Sequence, residues 1–159
     1  MNVTTHELQL EALDALSGVD TLCLFVGEDE RPLRGLAGLV DWRLCGGLSR
    51  LLLNGFFQGA AEDCVLMPSE NRLPTFRIFV LGLGRTQPAS MDRVRAALTR
   101  AAQTLNKAKV SSVALEVPGG EGFEDVERAE ALDGLFLPAF EGDRVAVLGE
   151  KNFLRLRAK

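Results

Sequence analysis

The sequence contains only one histidine, His6, and three cysteines, Cys23, Cys45 and Cys64. No two of them have the spacing of a zinc-binding pair such as Cys-x-x-Cys. Arg43 could stabilise a thiolate at Cys45, but a cysteine nucleophile also needs a base, and nothing in the sequence brings His6 close to it. We therefore predict no metal site, no catalytic residue and no cofactor, and we expect the three cysteines to be buried structural thiols.

Long apolar runs are also lacking. No run approaches the roughly 18 residues that a membrane-spanning helix needs, and residues 1–11 have neither a basic nor an apolar signal region. The odd number and wide spacing of the cysteines favour reduced thiols over a disulfide framework. We predict a cytoplasmic protein without a membrane partner. The net charge of -4 makes nucleic acid an unlikely partner, because it argues against binding through bulk charge.

The 159 residues, of which 47% are apolar and 25% charged, predict a single folded domain over residues 1–159. Its centre is the stretch 76–117. An apolar run at 76–81 is followed by Gly82-Leu83-Gly84, an amphipathic segment at 90–109 and a β-branched run at 110–117. This pattern predicts a strand, a glycine turn, a helix and a second strand, with the two strands as parallel neighbours.

The remaining periodicity places further elements around this unit. We predict strands at 6–10, 21–26, 64–67 and 144–148, helical segments at 13–16, 36–57 and 123–140, and a short basic tail at 153–159. Adjacent Gly46 and Gly47 predict a break that divides 36–57 into two helices. The order of elements predicts an α/β fold, with a mixed central sheet in a three-layer α/β/α domain.

Two pairs of glycines are candidate ligand cradles. Gly46 and Gly47 precede a helix start, and Gly82 and Gly84 lie between a strand and a helix, where backbone amides can hold a phosphate. The alternatives are close packing of a helix end at the first pair and a plain tight turn at the second. The second pair also lacks the third glycine of the dinucleotide fingerprint.

Charge is unevenly distributed along the chain. Six basic residues and only one acidic residue, Asp92, lie between Arg85 and Lys109, so this face could orient a partner, although a solvated helix face is the simpler interpretation. An acidic cluster follows at 121–127. We interpret it as a solvated helix start, with a carboxylate metal site or acid/base pair as the alternative; it contains Glu121, Glu124, Asp125 and Glu127.

Several stretches within residues 6–148 carry a family resemblance through their order and spacing. They are Thr21-Leu22-Cys23-Leu24-Phe25-Val26, Leu44-Cys45-Gly46-Gly47-Leu48-Ser49-Arg50-Leu51-Leu52, Gly55-Phe56-Phe57-Gln58-Gly59, Phe79-Val80-Leu81-Gly82-Leu83-Gly84 leading into 93–107, and Ser111-Ser112-Val113-Ala114-Leu115. In them the chain resembles the N-terminal domain of the leucyl (cytosol) aminopeptidase family. The resemblance implies a macro-domain-like α/β/α fold. It carries over no catalytic residue, because the family's Asn-Thr-Asp-Ala-Glu-Gly-Arg signature, which belongs to a separate catalytic domain, is absent.

Three functions follow from this resemblance as expectations. The first is a non-catalytic role through protein association, either as a homo-oligomer or with an aminopeptidase-like partner, since this domain helps to build a hexamer in full-length members. The second is a nucleotide or ADP-ribose site of the macro-domain type, with the glycine pairs as cradles. The third is weak DNA binding through the face between Arg85 and Lys109, as in some bacterial members of the family.

Overall fold

The structure, a computed structural model, describes residues 1–157. These residues form six strands and six α-helices. They are β1 (Asn2–Glu7), α1 (Leu10–Asp14), β2 (Thr21–Gly27), α2 (Gly35–Arg43), α3 (Gly47–Leu53), β3 (Cys64–Pro68), β4 (Arg77–Gly84), α4 (Met91–Lys107), β5 (Ser112–Leu115), α5 (Asp125–Ala131), β6 (Arg144–Gly149) and α6 (Lys151–Arg157), with a π-helical turn (Leu132–Phe136) after α5.

The strands form one six-stranded sheet in the order β1-β6-β5-β2-β4-β3. Strand β3 runs antiparallel to β4, and every other pair is parallel, so the predicted mixed sheet is confirmed. The two ends of the sheet are therefore edge strands, β1 and β3. The three central strands, β5, β2 and β4, all end at the same side of the sheet, and this common edge positions the site described below.

Side chains of alternate strand residues point to opposite faces of the sheet, and each face is covered by helices. Leu22 and Leu24 of β2 pack with α1, α2 and α3 on one face, whereas Cys23 packs with α4, α5 and α6 on the other. Strand β2 is buried on both sides, as its continuous apolar run predicts. The result is the predicted three-layer α/β/α arrangement.

The helices follow their sequence signals closely in two places. In α4 the predicted apolar stripe is buried, with Val94, Leu98, Ala101 and Leu105 inside the core. The predicted break in 36–57 is also present, because α2 ends at Arg43 and α3 begins at Gly47. Gly46 connects the two helices with a φ of 83°, a conformation that glycine adopts without steric cost.

The predicted neighbours in the central unit are not adjacent. Strands β4 and β5 are parallel, but β2 lies between them and pairs with both. The prediction was wrong because the length of a crossover fixes the relative direction of two strands and leaves room for another strand to insert between them. The inserted β2 comes from earlier in the chain, a long-range pairing with no local sequence signal.

Gly82-Leu83-Gly84 was predicted as a turn and is part of strand β4 instead. Val26 of β2 pairs with Gly82, and the next residue, Gly27, pairs with Gly84, so Leu83 is the extra residue of a β-bulge. Gly84 has a φ of 73° at this bulge. The two glycines thus allow a strand to bend, rather than ending it.

Both ends of the chain differ from their predictions. The first strand covers Asn2–Glu7, so the predicted 6–10 is shifted, and α1 begins at Leu10, ahead of the predicted 13–16. The predicted tail at 153–159 is helix α6 as far as Arg157, and residues 158–159 lie outside the described residues. The basic residues of this segment obscured its single core anchor, Phe153, which is 1% exposed.

The segment 123–140 is shorter and less regular than one helix. Helix α5 gives way to the π-helical turn at Leu132, and Val126, predicted to face inward, is 53% exposed. Of the other residues predicted to face inward, Ala129, Leu132 and Phe136 are buried and Leu135 is half-buried. Within residues 1–157, none of the helices is both long enough and apolar enough to cross a membrane.

Candidate functional site

A cleft opens at the common edge where β2, β4 and β5 end, and it has a volume of about 140 Å³. Ligand crevices in open α/β sheets lie outside this edge, the carboxyl end of the parallel strands. Three loops form its walls: 28–34 after β2, 85–90 after β4 and 116–124 after β5. The volume is many times what one ordered water requires, so a small molecule can enter.

The first two loops are fastened together by Asp29. Its carboxylate accepts hydrogen bonds from the N–H and hydroxyl of Thr86 at 2.9 and 2.8 Å and from the N–H of Gln87 at 3.1 Å. These bonds, chiefly the one from the Thr86 N–H, lower the pKa of Asp29 to about 2. Asp29 is therefore ionised at neutral pH and holds one wall of the cleft against its neighbour.

Two further carboxylates line the cleft at more buried positions. Glu30 accepts a hydrogen bond from the N–H of Gly27 at 2.9 Å, and Glu116 accepts one from the N–H of Leu36 at 3.0 Å, at the start of helix α2. Burial raises the pKa of both carboxyl groups above the ordinary value of 4.5. The negative charges of Glu150 and Glu30 add to the rise in the pKa of Glu116.

The remaining charged residues of the lining are Glu121 and three arginines, Arg34, Arg85 and Arg93. Arg34 favours the ionised form of Glu30, although burial outweighs it in the pKa of that carboxyl. Arg93 donates a hydrogen bond to the carbonyl oxygen of Pro88 at 2.7 Å. The cleft therefore combines buried carboxylates with guanidinium groups, and can meet both signs of charge on one ligand.

The third wall is held in place from behind by Arg128 of α5. Its guanidinium donates to the carbonyl oxygens of Val117 and Pro118 and to the carboxylate of Asp125. It also lies 5.0 Å from the centre of the Phe153 ring, a cation–π contact with helix α6. Arg128 thereby fixes the loop after β5 to two helices.

The four glycines predicted as cradles lie outside the lining of this cleft. Gly82 and Gly84 donate their N–H groups to the carbonyl oxygens of Asp63 and Gly59, at 2.9 and 2.8 Å. A Cβ at Gly82 would lie 1.8 Å from the carbonyl oxygen of Ala60, so this glycine admits a neighbouring backbone segment. The pair therefore already has protein partners, and ligand binding there stays a prediction.

Gly46 and Gly47 are similarly engaged, donating to the carbonyl oxygens of Asp41 and Leu44 at 2.9 and 3.1 Å. The next two amides of α3, at Leu48 and Ser49, donate to the carboxylate of Asp41. A side chain of the protein thus occupies the position where an anion would meet this helix start. These contacts are those of a closely packed helix end, the alternative given above for Gly46 and Gly47. The fold does not bring the two glycine pairs together into one site.

The cysteine predictions are right for one position and wrong for two. Cys23 is buried in β2, and burial raises the pKa of its thiol. Cys45 and Cys64 are exposed, contrary to the expectation of buried thiols. Cys45 lies in the α2–α3 connection with a φ of 54°, and Cys64 is the first residue of the edge strand β3. The strand pattern could not show which strand would lie at an edge.

Several side chains of the basic segment between Arg85 and Lys109 form ion pairs or hydrogen bonds with other residues of the protein. Arg95 pairs with Asp92 at 3.2 Å, and Arg100 donates to the carbonyl oxygen of Asp63 at 2.7 Å. The acidic cluster at 121–127 contributes Asp125 to an ion pair with Arg128. Among residues 1–157, no group of three or more histidine, cysteine or acidic side chains is placed to hold a metal ion.

Glu121, from the acidic cluster considered above, lines the cleft, but Asp29, Glu30 and Glu116 were not among the predicted site residues. Asp29 and Glu30 lie in a charged, turn-rich segment at 27–32, whose composition predicts a solvent-exposed loop, and Glu116 lies in the predicted strand at 110–117. A usable signal was present, because all three follow the ends of buried parallel strands. Acidic residues at such ends meet at one edge of the sheet, whatever their separation along the chain.

Comparisons with known proteins agree with this architecture. A solved structure of a tomato leucine aminopeptidase mutant superposes with a TM-score of 0.64 and 17% identity, covering 98% of this chain and 34% of the tomato chain. The Trypanosoma brucei macrodomain in complex with ADP-ribose superposes with a TM-score of 0.68 and 14% identity, covering 97% of this chain and 66% of the macrodomain chain. At these identities the likeness shows the fold, which is macro-domain-like.

Sequence comparisons identify the family. A probable cytosol aminopeptidase from Trichormus variabilis is 25% identical over 125 residues, which is 79% of this chain and 26% of the relative. The chain spans 20% to 28% of the length of the curated relatives that it matches. The family model described as the cytosol aminopeptidase family, N-terminal domain, matches residues 22–145. The chain therefore belongs to the cytosol aminopeptidase family through its N-terminal domain.

Proposed function

We propose that this chain acts non-catalytically, through association with another protein, either a second copy of itself or an aminopeptidase-like partner. The observation that carries the proposal is the uneven exposure of large apolar side chains. Seven are more than half exposed, and five of them fall in the segment 42–76: Trp42, Leu53, Phe56, Leu66 and Phe76. Single exposed apolar residues are ordinary, whereas their concentration in one segment is typical of an interaction surface.

The end of helix α3 is the strongest part of this segment. Leu53 is 85% exposed and Phe56, three residues later, is 73% exposed, while Phe57 beside them is buried. Covering a leucine or phenylalanine side chain contributes about 1.5–3 kcal/mol. A partner that covered Leu53 and Phe56 would gain enough apolar burial to make these two residues a binding hot spot.

Strand β3 provides a second association element, because it is an edge strand. Its only neighbour in the sheet is β4, and Leu66 at its centre is exposed. The free side of an edge strand presents backbone donors and acceptors to which another chain can add a strand. Association by this route would extend the sheet and would place the exposed Leu66 at the new contact.

Sedimentation velocity over a wide concentration range tests the proposal. The chain should associate with itself, or form a stable complex when mixed with a purified cytosol aminopeptidase from the same source. A Leu53→Ser, Phe56→Ser double variant should weaken the complex about tenfold or more, since it removes most of the apolar burial. The matched control is Val126→Ser, which changes an exposed apolar residue elsewhere and should leave association unchanged.

Monomeric behaviour at every concentration, together with no complex with the aminopeptidase, would contradict the proposal.

The non-catalytic part of the proposal has its own test. Purified chain supplied with Zn²⁺ or Mn²⁺ should not release the chromophore from an aminoacyl-anilide, and metal-dependent turnover by the pure chain would show that part to be wrong. We place the association in the cytoplasm, since the exposed thiols of Cys45 and Cys64 suit a reducing compartment.

A second candidate function is nucleotide or ADP-ribose binding in the cleft. It is favoured by the position of the cleft at the carboxyl ends of β2, β4 and β5, and by the macrodomain likeness, since one such relative was solved in complex with ADP-ribose. Fold likeness alone is an analogy for function. A thermal-shift titration tests it, because ligand at a hundred times its Kd adds about 2.7 kcal/mol of stability. That corresponds to a rise in Tm of roughly 5–10 °C for a domain of this size.

A further inference from the structure

Four backbone amides around the cleft donate to the protein's own carboxylates. Asp29 takes the amides of Thr86 and Gln87, Glu30 takes that of Gly27, and Glu116 takes that of Leu36 at the start of α2. Such amides are the groups with which a loop or a helix start holds a phosphate. In this cleft they already have anionic partners, and an incoming phosphate would have to displace a carboxylate or lie beside it.

Two of these carboxylates keep an unused acceptor. Glu30 and Glu116 each receive their hydrogen bond on Oε1, and no hydrogen bond reaches Oε2 of either from the described residues. Both are in the lining of the cleft, and burial disfavours their charged forms. A positively charged ligand group would offset the cost of ionising these two carboxyl groups, because hydrogen bonds between a cation and a carboxylate are about twice as strong as neutral ones.

No arginine near the cleft donates a hydrogen bond to Oε2 of Glu30 or Glu116 among the described residues. Arg128 lowers the pKa of Glu116, but its hydrogen bonds go to Val117, Pro118 and Asp125. Arg34 and Arg85 line the cleft, and no hydrogen bond from either guanidinium to Glu30 or Glu116 is present in the described residues. They remain available to an anionic end of a ligand whose cationic end meets the two glutamates.

We propose that the cleft binds a small zwitterion of about the size of an amino acid, with a guanidinium group between Glu30 and Glu116 and a carboxylate or phosphate toward Arg34 and Arg85. The cavity of about 140 Å³ suits a ligand of this size. None of the exposed apolar residues of 42–76 lines this cleft, so the site is separate from the proposed association surface. The proposal gives a role to the Oε2 atoms of Glu30 and Glu116, which accept no hydrogen bond from the described residues.

Isothermal titration calorimetry of the whole chain with three related probes tests this. L-Arginine carries both charges, agmatine lacks the carboxylate, and L-citrulline replaces the guanidinium with a neutral group of nearly the same shape. L-Arginine should bind at least about tenfold more tightly than L-citrulline, because the charge on the guanidinium carries the recognition. Agmatine should fall between them, because it keeps the contact with the glutamates and loses the contact with the arginines.

A matched pair of variants locates the binding. Glu116→Gln keeps an oxygen acceptor for the Leu36 N–H and removes the charge, so it should weaken L-arginine about tenfold or more. Glu130→Gln makes the same chemical change at an exposed position outside the cleft and should bind like the parent. If Glu116→Gln unfolds, as circular dichroism would show, Glu30→Gln replaces it with the same expectation.

Several results would overturn the proposal. They are the absence of heat with all three probes, equal affinity for L-arginine and L-citrulline, and unchanged affinity in a folded variant at Glu30 or Glu116. Binding of ADP-ribose alone would overturn it in favour of the nucleotide alternative. Sedimentation velocity of the same samples separates a failure of this proposal from a failure of the association proposal. A variant that loses zwitterion binding should keep the association state of the parent.

Discussion

Glu116 accepts a hydrogen bond from the backbone N–H of Leu36 at 3.0 Å, although the two residues are 80 positions apart in the chain. The bond joins the loop after β5 to the first turn of α2, across the end of β2. A Cβ on Gly35 would lie 2.3 Å from the accepting oxygen, so the glycine before Leu36 makes the approach possible. The contact closes one end of the cleft and places a carboxylate at a helix start, where the helix dipole favours it.

The raised pKa of Glu116 predicts a specific dependence of stability on pH. In the folded state burial keeps the proton on this carboxyl at pH values where the unfolded chain, with a pKa near 4.5, releases it. Stability therefore falls as pH rises from about 4.5 through the folded-state pKa. Glutamine cannot ionise, so Glu116→Gln does not lose this stability. The free energy of unfolding of the variant, minus that of the parent, should therefore increase over this pH interval and stay constant above it.

Urea denaturation of both proteins at closely spaced pH values measures this difference. Glu30, whose pKa is also raised, is present in both proteins, so its contribution cancels to a first approximation. A difference that stays constant over the whole pH range would show that Glu116 titrates as it does in the unfolded chain. A difference of opposite sign would show that its charged form is stabilised by the fold.

Asp29 predicts the opposite pH dependence. Its pKa is lowered to about 2, chiefly by the Thr86 N–H, against an ordinary value of 3.8. The stability that it contributes is present above pH 3.8 and is lost as pH falls toward 2. Asp29→Asn should therefore lower the Tm by a few degrees at pH 7, with a difference from the parent that narrows below pH 3.8. Glu28→Gln is the control, because Glu28 is an exposed neighbour; an equal loss in both variants would contradict the role of Asp29.

The sequence predicts the layers of this fold better than the order of its strands. Apolar runs and helical periodicity locate β2, α4 and the break at Gly46, because burial and chain reversal impose local patterns. The position of β2 between β4 and β5 depends on pairing between distant residues, and no local pattern encodes it. For the same reason Cys64 could not be recognised as a residue of an edge strand.

The site was less predictable than the fold because its residues look ordinary in isolation. Glycines drew attention as possible ligand cradles, yet Gly82 accommodates the backbone of Ala60 and Gly46 connects two helices. Glu30 lies in a charged, turn-rich segment and Glu116 in a predicted strand, and neither shows a role until the sheet brings the ends of β2 and β5 together. Their burial, which sets their chemistry, is a property of the assembled layers.

Gly82 predicts a sharp contrast with another glycine. A Cβ there would meet backbone atoms of Ala60 at 1.8 and 2.7 Å, and backbone can move aside only by distorting the strand. Gly82→Ala should therefore cost about 3 kcal/mol or more in the free energy of unfolding. Gly134→Ala is the control, because nothing lies within 4 Å of its Cβ position and alanine favours helical backbone. Urea midpoints should show a gain for Gly134→Ala of about 0.5 kcal/mol and a large loss for Gly82→Ala, and similar midpoints would contradict the close approach.

Phe153 tests whether the end of the chain is part of the core. Its ring is 1% exposed, packs with the α4–α5 side of the sheet and lies beneath the Arg128 guanidinium. Phe153→Ala should reduce the free energy of unfolding by about 3–5 kcal/mol, because it leaves a cavity and removes a cation–π contact. Phe76→Ala, at a phenylalanine that is 72% exposed, should change it by less than about 0.5 kcal/mol. Equal, small effects in chemical denaturation would mean that residues beyond β6 form a loosely attached tail, in which case Arg128 would hold the wall of the cleft without support from α6.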